Sequence, residues 1–483
     1  MSLEKLEPKA LWAHFEKFLA IPHTSGNEAG MAQYLLSFAE SRGLEADKDE
    51  AGNVVVKIPA TKGKEKAPVV VLQGHLDMVG EKNSDVAHDF MKDPIKPRID
   101  GEWLTASGTT LGADNGIGLA AALAVAEATD LVHGPIEILA TVDEEVGLTG
   151  AGKIKAGFIS GSIMLNLDSE TLGEVTIGCA GGGDSTMTLP LETTDAPVGT
   201  KAFTLKVSGL RGGHSGIDIH EQRGNAIKIL ARLLFKVAAQ YPCHLVSING
   251  GNKRNAIPRE AFAEVMVLET AVKGVQTFVA DEIARIAIEL GGREKGIAAS
   301  LEGAEGGHKI LAEGSQATLL DLLLAIPHGV EAMSYDIAGL VMTSNNLATV
   351  SVADGKAVIG TSTRSSISSA LQALRDRIAA CARLAGAGVE ENSPYPGWAP
   401  NVESKLLGVF KKVHASTMGK EPETIAIHAG LECGIIGEKF PGMDMISFGP
   451  TIRHPHSPDE KVNIESVASF WKLLGALLAE LAA

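Results

Sequence analysis

The sequence contains little cysteine and no long apolar run. Four cysteines are spread over 483 residues, and none belongs to a CxxC pair: Cys179, Cys243, Cys381 and Cys433. This spacing argues against a disulfide framework or a thiolate zinc site and favours a reducing cytoplasm. No apolar run approaches the roughly 20 residues of a membrane span. Residues 1–11 also lack the apolar segment of a signal peptide, so we expect a cytoplasmic protein.

Basic side chains are also scarce, which limits the classes of partner. Lys and Arg number 43 against 59 Asp and Glu, so the formal net charge is −16. Nucleic acids and anionic membranes bind basic surfaces, and we therefore predict neither as a partner. A hydrophobic content of 45% with 21% charged residues instead matches a globular protein in water.

The length suits two or three domains better than a single core. Up to about residue 182, buried-strand patterns alternate with helical periodicity, which predicts a mixed, largely parallel sheet flanked by helices. From residue 183 the strands alternate apolar and polar side chains, a pattern typical of an antiparallel sheet. We therefore predict an α/β domain split into 1–182 and 397–483, interrupted by an inserted α+β domain at 183–396. At the end of the insertion, residues 386–400 are rich in Gly and Pro and are interpreted as a linker.

Acidic residues follow several apolar strands or turns in the first part of the chain. The four sites are His75-x-Asp77 after the run 68–74, Asp114 in a Gly-rich turn, Asp143-Glu144-Glu145 after the run 136–142, and Asp168 after the run 163–167. In open α/β sheets, ligand sites lie where strands end at one edge. Carboxylates gathered there repel one another unless cations are bound. Histidine and carboxylate without thiolate suit Zn²⁺, Mn²⁺ or Co²⁺, so the pattern predicts a metal site.

Taken singly, each of these residues has a simpler explanation. An Asp after a strand is commonly a turn or cap residue, and consecutive acids commonly face solvent.

Three other motifs are nearly present in the sequence, but each lacks an essential element. Residues 147–153 fit a P-loop, but Ile154 stands where Ser or Thr should bind Mg²⁺. Residues 116–121 match GxGxxA without a leading strand. A nucleophile elbow at Ser215 would need Gly at the position of Ile217.

Seven stretches resemble motifs of the M20 metallopeptidases, and their fuller form resembles the branch of aminoacyl-histidine dipeptidases. The stretches occur in order along nearly the whole chain and are residues 75–77, 112–114, 143–147, 166–168, 208–216, 428–434 and 456–458. The resemblance implies an enzyme with a split catalytic domain. It also implies that the inserted region is a lid and dimerisation domain, so a homodimer is expected.

The resemblance implies two divalent metal ions, with zinc expected first and cobalt or manganese as alternatives. His75 and Asp168 would bind one ion, Glu145 and His456 would bind the other, and Asp114 would bridge them. Two adjacent ions can hold a hydroxide and polarise a scissile carbonyl. His456 is preferred to the nearby His454 because the resemblance includes the His-Ser-Pro context.

Two further acids receive catalytic roles from the resemblance. Asp77 would orient His75, as carboxylates commonly do for metal-binding imidazoles. Glu144 would be the general base that receives the proton of the attacking water and passes it to the leaving amine. Asp143 is interpreted as structural.

In the inserted domain, the resemblance implies four substrate contacts. His214, in a Gly-rich loop, would donate to the transition state in its own or a neighbouring subunit. Arg364 would bind the C-terminal carboxylate of a dipeptide. Asn255 and Gly430 would also contact the substrate, the glycine by permitting close approach of the backbone.

The resemblance thus implies hydrolysis of short peptides with a free C-terminal carboxylate, among them Xaa-His dipeptides of the carnosine type. The alternative is an M20-type amidohydrolase that removes the acyl group of an N-acyl amino acid. A third hypothesis is a metal-binding protein without turnover, against which the intact Glu144 argues. The long insertion and the context of Arg364 favour the dipeptidase.

Overall fold

The structure is a computed structural model and describes Leu3, residues 5–306 and residues 309–483. It contains two compact units. The first comprises Met1–Cys179, Trp398–Ala426 and Leu431–Ala483, and the second comprises Ala180–Gly397 and Ile427–Gly430. The limits predicted for the insertion, 183 and 396, lie close to those of the second unit. Residues 427–430, which the sequence analysis left in the split domain, belong to the second unit.

The helices are numbered in chain order. They are α1 (Lys9–Leu19), α2 (Ala29–Ser41), α3 (Ala113–Glu127), α4 (Thr149–Lys153), α5 (Ala226–Ala238), α6 (Val272–Leu290), α7 (Glu313–Ala325), α8 (Ser368–Leu384), α9 (Lys405–Met418), α10 (Glu432–Lys439) and α11 (Ile464–Leu481). In the part of the chain that the structure describes, no helix is both long enough and apolar enough to cross a membrane.

The strands are numbered in the same way. They are β1 (Glu45–Lys48), β2 (Val54–Ile58), β3 (Val70–His75), β4 (Pro97–Asp100), β5 (Trp103–Ala106), β6 (Ile136–Thr141), β7 (Ile163–Asn166), β8 (Glu174–Cys179), β9 (Gly181–Pro190), β10 (Thr193–Asp195), β11 (Thr200–Ser208), β12 (Gly213–His214), β13 (Cys243–Gly250), β14 (Ala256–Ile257), β15 (Ala261–Leu268), β16 (Ala298–Gly303), β17 (Lys309–Leu311), β18 (Gly329–Met333), β19 (Val341–Ala353), β20 (Lys356–Ser365), β21 (Gly388–Glu391), β22 (Glu423–Ile427), β23 (Asp444–Ser447), β24 (Ile452–Arg453) and β25 (Lys461–Asn463).

The first unit is built on a mixed sheet with the strand order β1-β2-β6-β3-β7-β23-β8-β22. Its central strands β6, β3, β7 and β23 run parallel, while β1, β2 and β8 pair antiparallel with their neighbours. Every residue of β3 and β6 is buried, which explains why the apolar residues 70–72 and 138–140 follow one another without polar alternation. The predicted α/β fold class, a largely parallel mixed sheet flanked by helices, is confirmed.

Helix α3 is longer than its sequence suggests, because the alanine-rich composition that indicates a helix is confined to residues 119–128. It begins at Ala113 and therefore includes the glycines that resembled a dinucleotide-binding turn. A Cβ at Gly116 would lie 2.9 Å from the ring of Phe15, and one at Gly118 would lie 2.5 Å from the carbonyl oxygen of Leu167. These glycines therefore allow close packing of α3.

The second unit contains a larger antiparallel sheet with the order β16-β11-β15-β13-β19-β20-β9-β21 and β18 paired to β19. Helix α5 packs on this sheet through an apolar face that belongs to the unit's core. Asn225 precedes the helix as its N-cap, and its side chain accepts hydrogen bonds from the amides of Ile227 and Lys228. The predicted α+β character of the inserted region agrees with this architecture.

The interpretation of 386–400 as a linker is wrong in part. Residues Gly388–Glu391 form β21, which pairs antiparallel with β9 at the edge of the second sheet. Gly and Pro around this short segment conceal a strand that is specified by its pairing partner rather than by its own composition.

Candidate metal centre

Strand register brings three of the predicted ligand loops to one sheet edge. His75 ends β3 and is paired in parallel with Thr141, the last residue of β6, after which the acidic loop begins. On its other side β3 pairs in parallel with β7, where Gln73 is opposite Asn166, two residues before Asp168. The parallel arrangement therefore places all three loops beyond the carboxyl ends of their strands.

The carboxylate of Asp114 lies between the two predicted imidazole ligands. Its Oδ1 is 3.1 Å from Nε2 of His75, and its Oδ2 is 3.2 Å from Nε2 of His456. His75 Nε2 is also 3.3 Å from Oδ1 of Asp168, and His456 Nε2 is 3.0 Å from Oε1 of Glu145. Each imidazole thus has its own terminal carboxylate and shares Asp114, which is the arrangement expected of a bridging ligand.

The donor atoms of this cluster are close enough to bind metal ions. Three groups have ligand atoms within 4.8 Å of one another: His75, Asp114 and Asp168; Asp114, Glu145 and His456; and His75, Glu144 and Glu145. Oε1 of Glu145 and Oδ1 of Asp168 are buried, and each faces an imidazole nitrogen, that of His456 at 3.0 Å and that of His75 at 3.3 Å. Buried anionic oxygens are costly unless paired, and a divalent cation would satisfy them. A donor set of imidazole and carboxylate without thiolate fits zinc, manganese or cobalt.

Neighbouring acids favour the charged form of both imidazoles. Burial lowers the pKa of His75, but the charge of Asp168 and hydrogen bonds to Asp114 and Asp168 raise it well above 6.5. Hydrogen bonds to Asp114 and Glu145 raise the pKa of His456 to about 11 against a smaller effect of burial. Without cations, both rings therefore carry a proton at neutral pH.

The carboxylates respond to burial and to one another. Burial, with the charge of Asp114, raises the pKa of Asp168 to about 7, although His75 opposes the shift. Burial also raises the pKa of Glu144 well above 4.5, and the charges of Asp168 and other acids act in the same direction. For Asp114, hydrogen bonds from His456 and His75 outweigh burial and lower the pKa. A cluster of this kind is electrostatically incomplete without positive charge.

Metal binding to this cluster is expected to strengthen as the pH rises through neutrality. Ligation requires neutral imidazoles, whereas His75 and His456 are protonated in the metal-free cluster. Because the folded-state pKa of His456 is raised, its proton stabilises the metal-free fold fully below about 6.5. That stabilisation is lost as the pH rises toward about 11. Protons therefore compete less strongly with metal ions for the imidazole nitrogens as the pH rises.

This linkage can be measured by titrating Zn²⁺ into metal-free protein in a calorimeter, at about pH 6 and about pH 8, in buffers of different ionisation enthalpy. Tighter binding at the higher pH and a buffer-dependent enthalpy are expected. His456→Ala should reduce the number of protons released. His454→Ala is the matched control, since His454 is exposed and lies outside the ligand groups. An enthalpy that does not depend on the buffer would contradict the prediction.

Asp77 contacts both the imidazole and the acidic loop. Nδ1 of His75 donates to the main-chain carbonyl oxygen of Asp77 at 2.9 Å and lies 3.4 Å from its Oδ1. This contact keeps a proton on Nδ1, so a neutral His75 would present its Nε2 lone pair to a metal ion. The Asp77 carboxylate accepts hydrogen bonds from the amides of Glu144 and Glu145 and from the hydroxyl of Ser25. It therefore positions three functional residues instead of one.

Asp143 secures the same loop from the other side. Its φ of 52° is unusual for a residue other than glycine. Its carboxylate accepts from the amide of Gly26 at 3.0 Å and from the hydroxyl of Thr149 at 3.2 Å, and its own amide donates to Glu28. These contacts agree with the structural role expected from the sequence.

Two buried glutamates beside the centre received no role from the sequence. Glu432, at the start of α10, accepts hydrogen bonds from Gln73 and Thr141, each at 2.6 Å, and burial raises its pKa to about 7. It lies within the stretch 428–434, whose resemblance to the M20 motifs was its only signal. Glu460, four residues after His456, binds the backbone of the loop that carries Asp114.

The second unit holds the four residues predicted to contact substrate. His214 is in β12, and its Nδ1 accepts from the amides of Gly216 and Ile217 at 3.2 and 3.1 Å. Burial, followed by the charge of Arg364, lowers the pKa of His214 below 6.5. The ring is therefore neutral near pH 7, with its single proton on Nε2, so the ring offers an N–H donor.

Arg364 is buried in β20 beside polar hydroxyls. Its Nε donates to Oγ of Ser215 at 3.4 Å and its Nη1 donates to the hydroxyl of Tyr395 at 3.2 Å. Within the second unit, as far as the structure describes it, no carboxylate lies within ion-pair distance of this guanidinium. A buried arginine without an acidic partner is well suited to bind an anion.

Of the other two predicted contacts, Asn255 lies beside Ser215, and Gly430 belongs to the segment Ile427–Gly430 of the same unit. The carbonyl oxygen of Asn255 accepts from the amide of Ser215 at 2.8 Å. Gly430 closes the segment 427–430. His428 also belongs to this segment, and its Nε2 forms a 2.7 Å hydrogen bond with the hydroxyl of Ser344. Burial lowers the pKa of His428 to about 3. Neither His428 nor Tyr395, which lies in the predicted linker, had an individual role predicted from the sequence.

Comparisons with known proteins agree with this geometry. The family model of peptidase family M20/M25/M40 matches residues 71–480. The chain is 43% identical over 481 residues to the cytosol non-specific dipeptidase of Escherichia coli, covering 100% of this chain and 99% of the relative. The crystal structure of aminoacylhistidine dipeptidase from Vibrio alginolyticus superposes with a TM-score of 0.93 at 44% identity, covering 99% and 98% of the two chains. Aminopeptidase PepT from Bacillus cereus shares the fold, with a TM-score of 0.58 at 18% identity over 99% and 100%.

Proposed function

This chain belongs to peptidase family M20/M25/M40, and we propose that within the family it is a dipeptidase that uses two divalent metal ions. The observation that carries the proposal is the position of Asp114, whose two oxygens each face a different imidazole. The full-length similarity to two proteins named as dipeptidases supports it. The same similarity disfavours an amidohydrolase acting on N-acyl amino acids.

In the proposed centre, His75 and Asp168 would hold one ion, Glu145 and His456 would hold the other, and Asp114 would serve both. The donor set supports zinc, with cobalt or manganese as alternatives. When bound, two such ions polarise a scissile carbonyl and acidify water.

The remaining catalytic work belongs to side chains of this protein. Asp77 orients His75 and holds the amides of Glu144 and Glu145. Glu144, whose pKa burial raises, receives a proton from water and passes it to the leaving amine.

We further propose that the second unit recognises the substrate. Arg364, which has no acidic partner in its unit, pairs with the C-terminal carboxylate of a dipeptide. His214 donates its Nε2 proton to the oxygen that becomes negative in the transition state. Asn255 and Gly430 complete the contacts through backbone approach and hydrogen bonding. This unit would also serve as a lid and as the dimerisation domain through which two chains form a homodimer.

The names of the two relatives guide the proposed substrate and location. One is called a cytosol non-specific dipeptidase and the other an aminoacylhistidine dipeptidase. We accordingly propose Xaa-His dipeptides of the carnosine type among the substrates, and a cytoplasmic location.

A hydrolysis panel tests the function. Metal-loaded protein would be assayed with β-alanyl-histidine, Gly-His, other dipeptides, their C-terminal amides and N-acyl amino acids. Dipeptides with a free carboxylate should give the highest kcat/KM, and the amides should be poor substrates. Faster hydrolysis of N-acyl amino acids would overturn the proposal, as would the absence of peptide hydrolysis by protein that has bound its metals.

Replacing Arg364 by lysine is expected to raise KM for dipeptides by about tenfold or more, with a smaller change in kcat. Lysine retains the charge but loses the paired donors that match a carboxylate. Steady-state kinetics with a dipeptide and with its amide measure the effect, which should be confined to the free acid. Arg383→Lys, at an exposed position in the last turn of α8, is the control. An equal effect on acid and amide would contradict the assignment.

A further inference from the structure

Glu460 holds the loop of Asp114 through its main chain. The Glu460 side chain is buried, with 2% of the residue's surface exposed. Its carboxylate accepts from four consecutive amides, those of Leu111 at 2.7 Å, Gly112 at 3.0 Å, Ala113 at 2.7 Å and Asp114 at 3.3 Å. Among the described residues, no lysine, arginine or histidine lies within ion-pair distance of it. The backbone amides alone satisfy this buried carboxylate.

The loop is shaped to receive an anion. Gly112 adopts a φ of 75°, which a residue with a Cβ rarely adopts, and the turn directs successive N–H groups to one side. These amides precede or begin α3 and have no partners within the helix. A carboxylate meets them with two oxygens, whereas an amide side chain would present its own N–H groups to donors.

The main chain of Glu460 is fixed on the opposite side. Its amide donates to the carbonyl oxygen of Ser457 at 3.0 Å, which closes the turn directly after His456. Its carbonyl oxygen accepts from the hydroxyl of Thr105 at 2.7 Å, directly before β25 pairs with β5. One residue therefore joins the turn of Asp114 to the loop of His456 and anchors both on a small sheet.

We infer that Glu460 is a positioning residue that sets the spacing between Asp114 and His456, and so determines how tightly this half of the centre binds a metal ion. The inference rests on the metal roles assigned under the proposed function. Glu460 lies behind the two ligands and acts only through them. Outer residues of this kind typically change metal affinity 10- to 100-fold when they are replaced.

The test compares Glu460→Gln with the unaltered full-length chain. Zn²⁺ affinity is measured by competition with a chromophoric chelator, stoichiometry by elemental analysis, and stability by denaturant unfolding of the metal-free proteins. One of the two zinc ions is expected to bind at least about 10-fold more weakly to the variant. Glu460→Asp, which keeps the charge on a shorter arm, should recover part of the affinity.

Glu137→Gln is the matched control. Glu137 is 3% exposed, belongs to the same unit and also accepts from backbone amides, those of Ser160 and Gly161. It lies near the start of β6, away from the ligand loops. This variant should lose stability but bind both zinc ions as the unaltered chain does, which separates positioning from general stabilisation.

The results distinguish the inference from the function on which it rests. Unaltered zinc affinity in Glu460→Gln, with two ions bound to the unaltered chain, would overturn only the positioning role. Failure of the unaltered chain to bind two ions would overturn the proposed metal centre itself. If Glu460→Gln does not fold, Glu460→Asp decides: weaker binding of one ion supports the role, and full affinity refutes it.

Discussion

Glu144→Ala is expected to lower kcat by about 10²- to 10⁴-fold while the protein still binds two metal ions. The side chain is half-buried and lies beside His75 and Glu145. Burial and nearby acids raise its pKa, which suits a group that takes up and releases a proton near neutrality. Glu144 is not one of the proposed ligands, and the proposed ligands already place two carboxylates beside each imidazole. Removal of Glu144 should therefore abolish proton transfer without emptying either position.

Steady-state kinetics and elemental analysis of the purified variant check this expectation. Glu144→Gln is the companion variant, because it preserves the shape of the side chain and removes only the base. Both should show a similar loss of kcat. Loss of a metal ion from either variant would show that Glu144 is itself a ligand. This alternative is specific, because Glu144 forms one of the three ligand groups with His75 and Glu145.

His214→Ala is expected to reduce kcat by about 10²- to 10³-fold and to raise KM much less. The amides of Gly216 and Ile217 occupy Nδ1, so the neutral ring can donate only from Nε2. A donor that strengthens as charge develops on the substrate oxygen contributes mainly to the transition state. Kinetics with a dipeptide measure the split between kcat and KM, and an unchanged kcat would refute the role.

Two variants sharpen this measurement. His220→Ala is the control, because His220 is exposed in the same unit and its Nδ1 contacts only the carbonyl oxygen of Ile217 among the bonds described. Mixing inactive His214→Ala and Glu144→Ala proteins under conditions of proven subunit exchange would show which subunit His214 serves. Recovered activity would mean that it serves a neighbour, and continued inactivity would mean that each chain completes its own site.

The ligand loops could be predicted because local pattern and sheet topology agree. The apolar runs of β3, β6 and β7 end just before the chemically active residues, and parallel pairing brings such ends together. His75 and Asp168 were therefore visible as strand-end residues before any distance was known. The assignment of individual roles within the cluster required the family resemblance.

Contacts between distant segments could not be predicted in this way. Glu460 binds main-chain amides near Asp114, and backbone donors leave no mark on the sequence of the loop that supplies them. Strand β21 was hidden for a related reason, since an edge strand is specified by its partner β9. The early start of α3 was obscured by Gly116 and Gly118, which close packing requires although glycine disfavours helices.

The order of the ligands along the chain determines when the centre can be assembled during synthesis. Four of the proposed ligands, His75, Asp114, Glu145 and Asp168, precede the inserted unit, whereas His456 and Glu460 follow it. Under the proposed function, the two-ion centre can therefore be complete only after the whole inserted unit has been synthesised.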